Sequence, residues 1–424
     1  MSELYEIKEE IEKVILVGVA LDNMEDETAE SIDELEDLAK TAGAVTVGKL
    51  IQNREKVHPG TYLGKGKIEE LKEYIIATEA TGIICDDELS PAQYKNLQEA
   101  LDVKVMDRTL LILDIFASRA TTREGKIQVE LAQLKYRSAR LIGMHGALSR
   151  LGGGIGTRGP GEKKLEMDRR LIGDRIAQLR KEIEEMERHR ELSRQQRSKS
   201  NIPVVAIVGY TNAGKSTLLN KLTDAGILAE DKLFATLDPT TRSFKLPGNR
   251  EILLTDTVGF IRKLPHHLID AFRSTLEEAK YADIILHVVD SVNPQIDDQM
   301  KIVYETLDKL QVKDKPIITF FNKQDLAEDD AWVKSLKDVK ADYVIHGAVK
   351  TESGLDELVA SVEDIILKSS VQLEVVLGYN DSGKIQHIRK YGQLLCEEYR
   401  ADGIYVKATL PQDVYAKYFA NHKY

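Results

Sequence analysis

The stretch Gly209-Tyr-Thr-Asn-Ala-Gly-Lys-Ser216 decides the fold of this chain. It matches the Gly-x4-Gly-Lys-Ser pattern, in which backbone N–H groups of a glycine-rich loop close around phosphates. Before it, Pro203-Val-Val-Ala-Ile-Val208 is an apolar run typical of a strand buried on both faces of a parallel sheet. After it, Ser216-Thr-Leu-Leu-Asn-Lys-Leu222 predicts a helix whose N-terminus faces the phosphates.

Three further motifs follow in a consistent order: Phe234-Ala-Thr-Leu-Asp238, Asp256-Thr-Val-Gly259 and Asn322-Lys-Gln-Asp325. Any one of them can arise by chance, but together with the phosphate loop they predict a guanine-nucleotide switch. Apolar strand candidates at Glu251–Thr255 and Pro316–Phe321 deliver the last two motifs, and a third candidate at Ile284–Val289 lies between them. The strand candidates alternate with helical stretches. This alternation predicts a doubly wound α/β domain with its ligand at the carboxyl ends of the strands.

Each motif residue has a chemical task at the phosphate end. Lys215 can place a positive charge against the β- and γ-phosphates, and Ser216 can give its hydroxyl to Mg²⁺. Asp256 is placed to hold the metal, directly or through water, and Gly259 can offer an N–H to the γ-phosphate. The remaining phosphate-end residues in the predicted contact set are Gly209, Tyr210, Thr211, Asn212, Ala213, Gly214, Thr217, Thr257 and Val258.

The base end of the predicted site is formed by Asn322, Lys323 and Asp325. The Asp325 carboxylate can accept two hydrogen bonds from guanine, which adenine cannot match, and this mismatch rejects ATP. A fifth motif, usually Ser-Ala-Lys, is replaced here by Gly347-Ala348-Val349. Because only the backbone N–H of Ala348 is needed there, we expect base contact to survive with a looser loop.

Composition restricts the class of protein. The chain has 424 residues and a net charge of −11, which argues against indiscriminate nucleic-acid binding. Its two cysteines, Cys85 and Cys396, and the lack of a signal-like N-terminus predict a cytoplasmic protein without a membrane span. Between Arg119 and Lys199, however, 20 Lys and Arg face 11 Asp and Glu, a local net charge of +9 on an otherwise acidic chain.

This basic segment also has helical periodicity. Apolar residues recur at Ile172, Ile176, Leu179, Ile183 and Met186, the spacing of a narrow coiled-coil seam, and a shorter stripe runs upstream. The stripes are explained by core packing alone. Together they predict an antiparallel helical hairpin.

The loop of the predicted hairpin is rich in glycine and basic residues. Six of the twelve residues from 150 to 161 are glycine, and Arg150, Arg158, Lys163 and Lys164 accompany them. A flexible linker is one reading. The combination of glycine with Arg and Lys favours a loop that approaches an RNA backbone, so these four residues are the candidate RNA contacts.

The domain organisation predicted from these patterns is a multidomain α/β protein. It has an N-terminal α/β domain (1–118), the helical hairpin (119–200), a P-loop, Ras-like GTPase domain (201–370) and a small α+β C-terminal domain (371–424). Strand candidates outside the GTPase domain are Lys13–Val19, Thr81–Cys85, Leu373–Leu377 and Gly403–Ala408.

Several stretches resemble the HflX family of GTPases across nearly the whole chain: Gly152 to Glu162, Glu124 to Tyr136, Phe234 to Thr240, and Asp256 to Phe260. The resemblance implies a ribosome-associated GTPase that engages the 50S subunit and splits stalled or hibernating 70S ribosomes. It implies that the N-terminal domain and the hairpin lie near the peptidyl-transferase region and that the glycine-rich loop meets 23S rRNA.

The resemblance also assigns the second motif. It implies that Thr236 is the switch I threonine, which joins Ser216 on Mg²⁺ and belongs with Lys215, Asp256 and Gly259 in the catalytic set, while Thr240 and Thr241 are weaker candidates. The nucleotide contacts implied around it are Phe234, Ala235, Leu237 and Asp238.

One departure from Ras-like enzymes concerns catalysis. Phe260 occupies the position after Gly259, where those enzymes keep a water-orienting Gln. A phenyl ring cannot position water, so we expect slow intrinsic hydrolysis that an outside element, the ribosome by resemblance, accelerates. Asn212 stands where some Gln-less GTPases hold K⁺ against the phosphates; stabilisation of the loop by hydrogen bonds to its own backbone is the alternative.

Three functions compete at this stage. The leading one is a ribosome-splitting GTPase, expected to act as a monomer. A large-subunit assembly GTPase would share the switch but act on immature particles, and a soluble signalling GTPase would not contact RNA. The basic hairpin argues against the last of these, and the Asn322-Lys-Gln-Asp325 motif argues against a small-molecule P-loop kinase.

Overall fold

A computed structural model describes residues 11–22, 24–148, 160–198, 202–223, 233–234, 239–248, 250–264 and 278–419. The chain forms two compact units. The first comprises Met1–Glu185, Lys232–Phe234 and Arg262–Phe272, and the second comprises Met186–Asp231, Ala235–Ile261 and Arg273–Tyr424.

The first unit is built on a parallel sheet of four strands in the order β2-β1-β3-β4. The strands are β1 (Lys13–Leu21), β2 (Val45–Arg54), β3 (Gly82–Cys85) and β4 (Lys104–Asp107). Helices α1 (Glu25–Thr41), α2 (Lys65–Thr78), α3 (Pro91–Leu101) and α4 (Arg108–Arg119) follow them in alternation. The sequence predicted β1 and β3 but missed β2 and β4. β2 is half exposed along most of its length and β4 is only four residues long, so neither carries a long apolar run.

Buried charges at the carboxyl ends of β3 and β4 are paired. Arg108, which is almost fully buried, donates to Asp86 at 2.8 Å and to Glu34 at 2.7 Å. Arg140 donates to Asp107 at 2.6 Å, and the Asp107 carboxylate also caps α4 by accepting from the backbone of Leu110. Because an unpaired buried charge is costly, these pairs fix the geometry of the sheet edge.

The predicted helical hairpin is present as α5 (Arg123–Leu148) and α6 (Pro160–Ser198). The two Arg175 nitrogens donate to Glu130 at 2.8 and 2.9 Å, and Arg123 donates to Glu182 at 3.4 Å. Since the higher number on one helix pairs with the lower on the other, the helices run antiparallel. On α6 the five seam positions named above are all partly or fully buried, and Leu179 is fully buried, in agreement with the predicted stripe.

The second unit contains a six-stranded sheet in the order β10-β9-β8-β5-β7-β6. Its strands are β5 (Val204–Val208), β6 (Thr240–Lys245), β7 (Glu251–Asp256), β8 (Ile284–Asp290), β9 (Ile317–Asn322) and β10 (Tyr343–His346). The helices are α7 (Lys215–Thr223), α8 (Ile296–Lys309), α9 (Asp330–Ser335) and α10 (Leu355–Lys368). All strand pairs are parallel except β6 with β7, and this confirms the predicted P-loop α/β fold.

The four predicted strands of this sheet, β5, β7, β8 and β9, lie side by side at its centre. Their apolar residues form one core that α7 and α10 cover, with Val205, Leu286, Ile318 and Leu218 fully buried in it. The edge strands β6 and β10 were not predicted, because β6 is half exposed with the mixed sequence Thr-Thr-Arg-Ser-Phe-Lys and β10 is only four residues long.

The C-terminal segment adds a second sheet to the same unit. Strands β11 (Ser370–Leu377), β12 (Gln393–Arg400) and β13 (Gly403–Pro411) pair antiparallel in the order β11-β13-β12. Helices α11 (Gly383–Tyr391) and α12 (Gln412–Tyr418) accompany them. β11 and β13 match the predicted strands. β12 was missed because its acidic sequence Cys-Glu-Glu-Tyr-Arg lacks an apolar alternation.

Candidate functional site

The phosphate loop lies between β5 and α7, as the sequence predicted. Gly209 has a φ of +153° and packs directly on β8, where an added Cβ would lie 2.2 Å from the Val288 carbonyl oxygen. Only glycine leaves room for this approach, which lets the chain turn sharply from the strand into the loop. The loop then passes through Asn212 at φ +61° and enters the helix at Lys215.

Lys215 is buried at the start of α7, and its ammonium donates to the carbonyl oxygen of Tyr210 at 2.7 Å. The side chain therefore folds back over its own loop, where phosphates are held in this motif. Burial lowers the pKa of Lys215 to about 8, against the opposing effect of the Asp256 carboxylate. A buried cation in this position favours any ligand that brings negative charge.

Ser216 and Asp256 meet below the loop. The Ser216 hydroxyl donates to Asp256 Oδ2 at 2.7 Å, and Asp256 is fully buried at the end of β7. A hydroxyl and a carboxylate side by side offer the oxygen ligands that Mg²⁺ prefers. In nucleotide sites Mg²⁺ usually takes one or two such protein ligands and fills its other positions with waters and phosphate oxygens. These two residues fit the metal that a guanine-nucleotide switch requires, and they would hold it against the phosphates.

The segment Asp256–Phe260 is joined to the phosphate loop by backbone hydrogen bonds. Thr211 donates to the Phe260 carbonyl oxygen at 2.8 Å, and Phe260 donates to the Gly209 carbonyl oxygen at 3.1 Å. Gly259 lies so close to this loop that an added Cβ would stand 2.8 Å from Thr211 Cγ2 and 3.0 Å from Lys215 Nζ. The geometry explains why residue 259 is glycine and brings its backbone beside the lysine.

The Phe260 ring is fully buried, with 1% of its surface exposed. The residue that follows the glycine therefore points into the protein interior and offers no polar group. This arrangement agrees with the expectation that residue 260 does not orient a water molecule.

Asn322 connects three segments at the base end of the site. Its Nδ2 donates to the Ala213 carbonyl oxygen at 2.9 Å, its Oδ1 accepts from the backbone of Val349 at 2.9 Å, and its own carbonyl oxygen accepts from Ser291. The side chain is buried at the carboxyl end of β9. Asn322 thus holds the phosphate loop, the 347–349 segment and the loop that carries Asp325 in one arrangement.

Asp325 lies exposed in a short 3-10 turn, Gln324–Leu326, where its carboxylate is accessible to a base. The backbone N–H groups of the 347–349 segment form hydrogen bonds within the protein. The Ala348 N–H donates to the Ser353 carbonyl oxygen at 3.0 Å, and the Gly347 N–H donates to Phe321. The Ala348 N–H is therefore used within its own loop in this geometry, and its role as the base donor stays a prediction.

Other predicted contacts fall into two groups. Thr217 is on the first turn of α7, and Tyr210, Thr257 and Val258 lie in the two joined segments and are buried. Phe234 belongs to the first unit, where its ring packs edge-on against Phe116 with centroids 4.7 Å apart.

The predicted switch I residues Ala235, Thr236, Leu237 and Asp238 lie outside the described residues, as do Arg150 and Arg158. Lys163 and Lys164 are in the first turns of α6, and their side chains are outside the description. Thr240 and Thr241, the weaker switch I candidates, are in β6, where the Thr241 and Thr255 hydroxyls lie 2.9 Å apart.

Sequence reasoning missed two residues at the carboxyl end of β8 that contact the base end of the site. Asp290 forms an ion pair with Lys323 at 2.8 Å, and Ser291 donates through both its backbone N–H and its hydroxyl to the Asn322 carbonyl oxygen at 3.0 and 2.6 Å. The sequence signal that could have found them is a pair of polar residues at the carboxyl end of a buried parallel strand, because ligands of α/β sheets bind at that end of the strands.

Within the described residues, no helix is both long enough and apolar enough to cross a bilayer. In the same part of the chain, no three His, Cys, Asp or Glu side chains group as a metal site. A magnesium ion held by one hydroxyl, one carboxylate and phosphates does not need such a group.

Comparison with known families covers most of the chain. Residues 29–117 match the family described as GTP-binding GTPase N-terminal, 119–197 match GTP-binding GTPase Middle Region, and 204–323 match 50S ribosome-binding GTPase. A solved GTP-binding protein of Sulfolobus solfataricus in complex with GDP is similar with a TM-score of 0.44 and 26% identity, over 84% of this chain and 98% of that one.

Curated relatives align over nearly the full length. GTPase HflX of Lacrimispora saccharolytica is 67% identical over 98% of this chain and 97% of the relative, and GTPase HflX of Caldanaerobacter subterraneus is 49% identical over 96% and 93%. GTPase HflX of Escherichia coli is 44% identical over 75% of this chain and 74% of the relative. Together with the phosphate loop, its buried lysine and the Ser216–Asp256 pair, these relatives show that the chain belongs to the HflX family of GTPases.

Proposed function

We propose that this GTPase binds the 50S subunit and the 70S ribosome and separates stalled or hibernating ribosomes in a nucleotide-dependent way. The observation that carries the proposal is the match of residues 204–323 to a 50S ribosome-binding GTPase family, in a chain whose 119–199 segment is strongly basic. A basic module on an acidic protein favours one specific RNA partner over general nucleic-acid binding.

In the proposed reaction, GTP occupies the edge of the six-stranded sheet. Lys215 neutralises charge on the β- and γ-phosphates, and the backbone of Gly259 contacts the γ-phosphate. Ser216 and Asp256 would hold Mg²⁺, and the ion would supply positive charge that neutralises the phosphates. Thr236 is proposed to join them. Asp325 accepts hydrogen bonds from the guanine base and selects it over adenine.

Slow intrinsic turnover is part of the proposal. The buried Phe260 ring leaves the position after Gly259 without a group that orients water. We infer that the ribosome supplies or orders the missing element, so that hydrolysis accelerates only in the bound state. Hydrolysis would then follow ribosome engagement and release the protein.

Sedimentation tests the proposal directly. Purified 70S ribosomes are incubated with the protein and GTP, a non-hydrolysable GTP analogue or GDP, and resolved on a sucrose gradient. We expect free 30S and 50S subunits with GTP and with the analogue but not with GDP, and the protein itself in the 50S fraction. Intact 70S with protein bound only to immature large subunits would instead identify an assembly GTPase. No cosedimentation at low salt would identify a GTPase without RNA contact.

A further inference from the structure

The ion pair between Asp290 and Lys323 lies at the base end of the nucleotide site. Asp290 is the last residue of β8, directly beside Asn322 in the pairing of β8 with β9. Lys323 Nζ is 2.8 Å from Asp290 Oδ2, and the two side chains are only 23% and 14% exposed. An ion pair this sheltered is screened less than a surface pair, so losing one partner leaves a poorly solvated charge.

Asp290 uses both carboxylate oxygens. While Oδ2 pairs with Lys323, Oδ1 accepts from the backbone of Val292 at 3.3 Å. This second contact fixes the carboxylate on its own turn, so the lysine meets an acceptor that is already oriented. The next residue, Ser291, holds the Asn322 carbonyl oxygen through two hydrogen bonds. Two consecutive residues at the carboxyl end of β8, Asp290 and Ser291, therefore restrain two consecutive residues at the carboxyl end of β9.

The restrained loop has an unusual backbone. Lys323 has a φ of +68°, in the left-handed region that residues other than glycine rarely adopt. Such a conformation persists only where surrounding contacts impose it. It turns the chain directly before the 3-10 turn that carries Asp325, so the contacts that hold Lys323 also set the direction in which Asp325 is presented.

We propose that Asp290 is a positioning residue of the nucleotide site, which acts through Lys323 to hold the base-binding loop and thereby slows nucleotide release. The inference rests on the proposed guanine contact of Asp325. It assigns Asp290 to the residence time of GDP and GTP rather than to hydrolysis, because the residues proposed for hydrolysis, Lys215, Ser216 and Asp256, lie at the phosphate end.

The experiment measures dissociation of fluorescently labelled GDP and GTP from the full chain by stopped-flow displacement. Asp290→Asn should release both nucleotides about tenfold faster, the effect of losing one charged hydrogen bond. Asp290→Glu, which keeps the charge, should restore part of the slow release. Single-turnover hydrolysis at saturating GTP should stay within about twofold of the parent, since the phosphate end is intact. Asp308→Asn, on the exposed face of α8, is the matched control.

A double-mutant cycle tests whether Asp290 acts on nucleotide release through Lys323. Lys323→Met should itself accelerate release, and adding Asp290→Asn should change little further, because the carboxylate acts through the lysine. A merely structural role would lower the melting temperature of Asp290→Asn without accelerating release, or would give additive effects with Lys323→Met. Either result overturns the inference.

Asp325→Asn separates this inference from the proposed function. If Asp325→Asn retains parental GTP affinity, the guanine contact is wrong and the role of Asp290 falls with it. If Asp325→Asn loses affinity but Asp290→Asn releases nucleotide at the parental rate, the guanine contact stands and the role of Asp290 alone is refuted.

Discussion

The Ser216 hydroxyl donates to Asp256 Oδ2 at 2.7 Å, and this one bond joins the first turn of α7 to the end of β7. The two residues come from different motifs of the sequence, and their contact forms the oxygen pair on which a magnesium ion would be bound.

Removing the Ser216 hydroxyl should weaken metal-dependent nucleotide binding. For Ser216→Ala we expect the Mg²⁺ concentration that supports half-maximal GTP binding to rise by about 10- to 100-fold, because an oxygen donor beside the carboxylate is lost. Magnesium titrations with labelled GTP measure the shift. Ser335→Ala, an exposed serine on α9, is the control. An unchanged magnesium requirement would contradict the assignment of Ser216 as a ligand.

Nucleotide affinity should depend on the charge of Lys215, whose pKa burial lowers to about 8. Bound phosphates favour the charged ammonium, so binding takes up a proton when the pH exceeds that pKa. We expect GTP affinity to be flat below pH 8 and to fall by up to about tenfold per unit above it. Calorimetry in buffers of different ionisation enthalpy, kept below the pH at which guanine itself ionises, measures the proton uptake. Lys221→Gln should behave like the parent, and pH-independent affinity up to pH 9 would contradict the prediction.

Acid should destabilise the second unit through His287. Burial lowers the pKa of this histidine below its ordinary value of 6.5, although Asp338, 3.9 Å away, favours the charged form. The unfolded chain therefore binds a proton first. The neutral His287 therefore contributes its full stabilisation above pH 6.5. As the pH falls below 6.5, the free energy of unfolding decreases by at most about 1.4 kcal/mol per pH unit.

Thermal unfolding at pH 7.5 and 5.5 tests this linkage. His287→Gln should lose less melting temperature between the two values than the parent does. The control is His387→Gln. The His387 ring stacks on Tyr418, so this variant should match the parent. Equal acid sensitivity of His287→Gln and the parent would show that another group controls the loss.

Basic residues of the predicted glycine-rich loop and of the first turns of α6 should contribute to ribosome binding but not to chemistry. For the triple variant Arg158→Ala, Lys163→Ala and Lys164→Ala we expect near-parental intrinsic hydrolysis, weaker 50S binding and a flatter salt dependence, because fewer phosphate contacts release fewer counterions. Cosedimentation with 50S subunits across salt concentrations measures both. Parental 50S affinity at every salt concentration would support a flexible linker instead.

Asn212 allows a test of monovalent-cation use. It lies in the phosphate loop at φ +61°, in a protein whose residue 260 cannot assist hydrolysis. A K⁺ ion between the phosphates could neutralise charge in the transition state. We expect faster hydrolysis in KCl than in NaCl at matched ionic strength, with the difference abolished in Asn212→Ala while GTP binding is retained. Equal rates in the two salts would leave Asn212 as a residue that stabilises the loop.

The sequence by itself determined the GTPase fold and the position of its motifs along the chain. Buried central strands such as β5 and β9 are continuous apolar runs, and the motifs follow them directly, so local pattern and position in the sheet coincide. The helical hairpin was equally predictable, since its seam repeats along the chain. Edge elements such as β6 and β12 were not, because half-exposed strands have no distinctive pattern.

Only the tertiary structure decided how the motifs connect. The bonds from Asn322 to Ala213 and Val349 span 109 and 27 residues, and nothing local in the sequence pairs them. The same is true of the engagement of the Ala348 N–H by Ser353 and of the Asp290–Lys323 ion pair, which joins the ends of two neighbouring strands. The physical reason is that a hydrogen bond or a buried charge pair depends on which chain segments the sheet brings together, whereas motif and periodicity report only on neighbours in sequence.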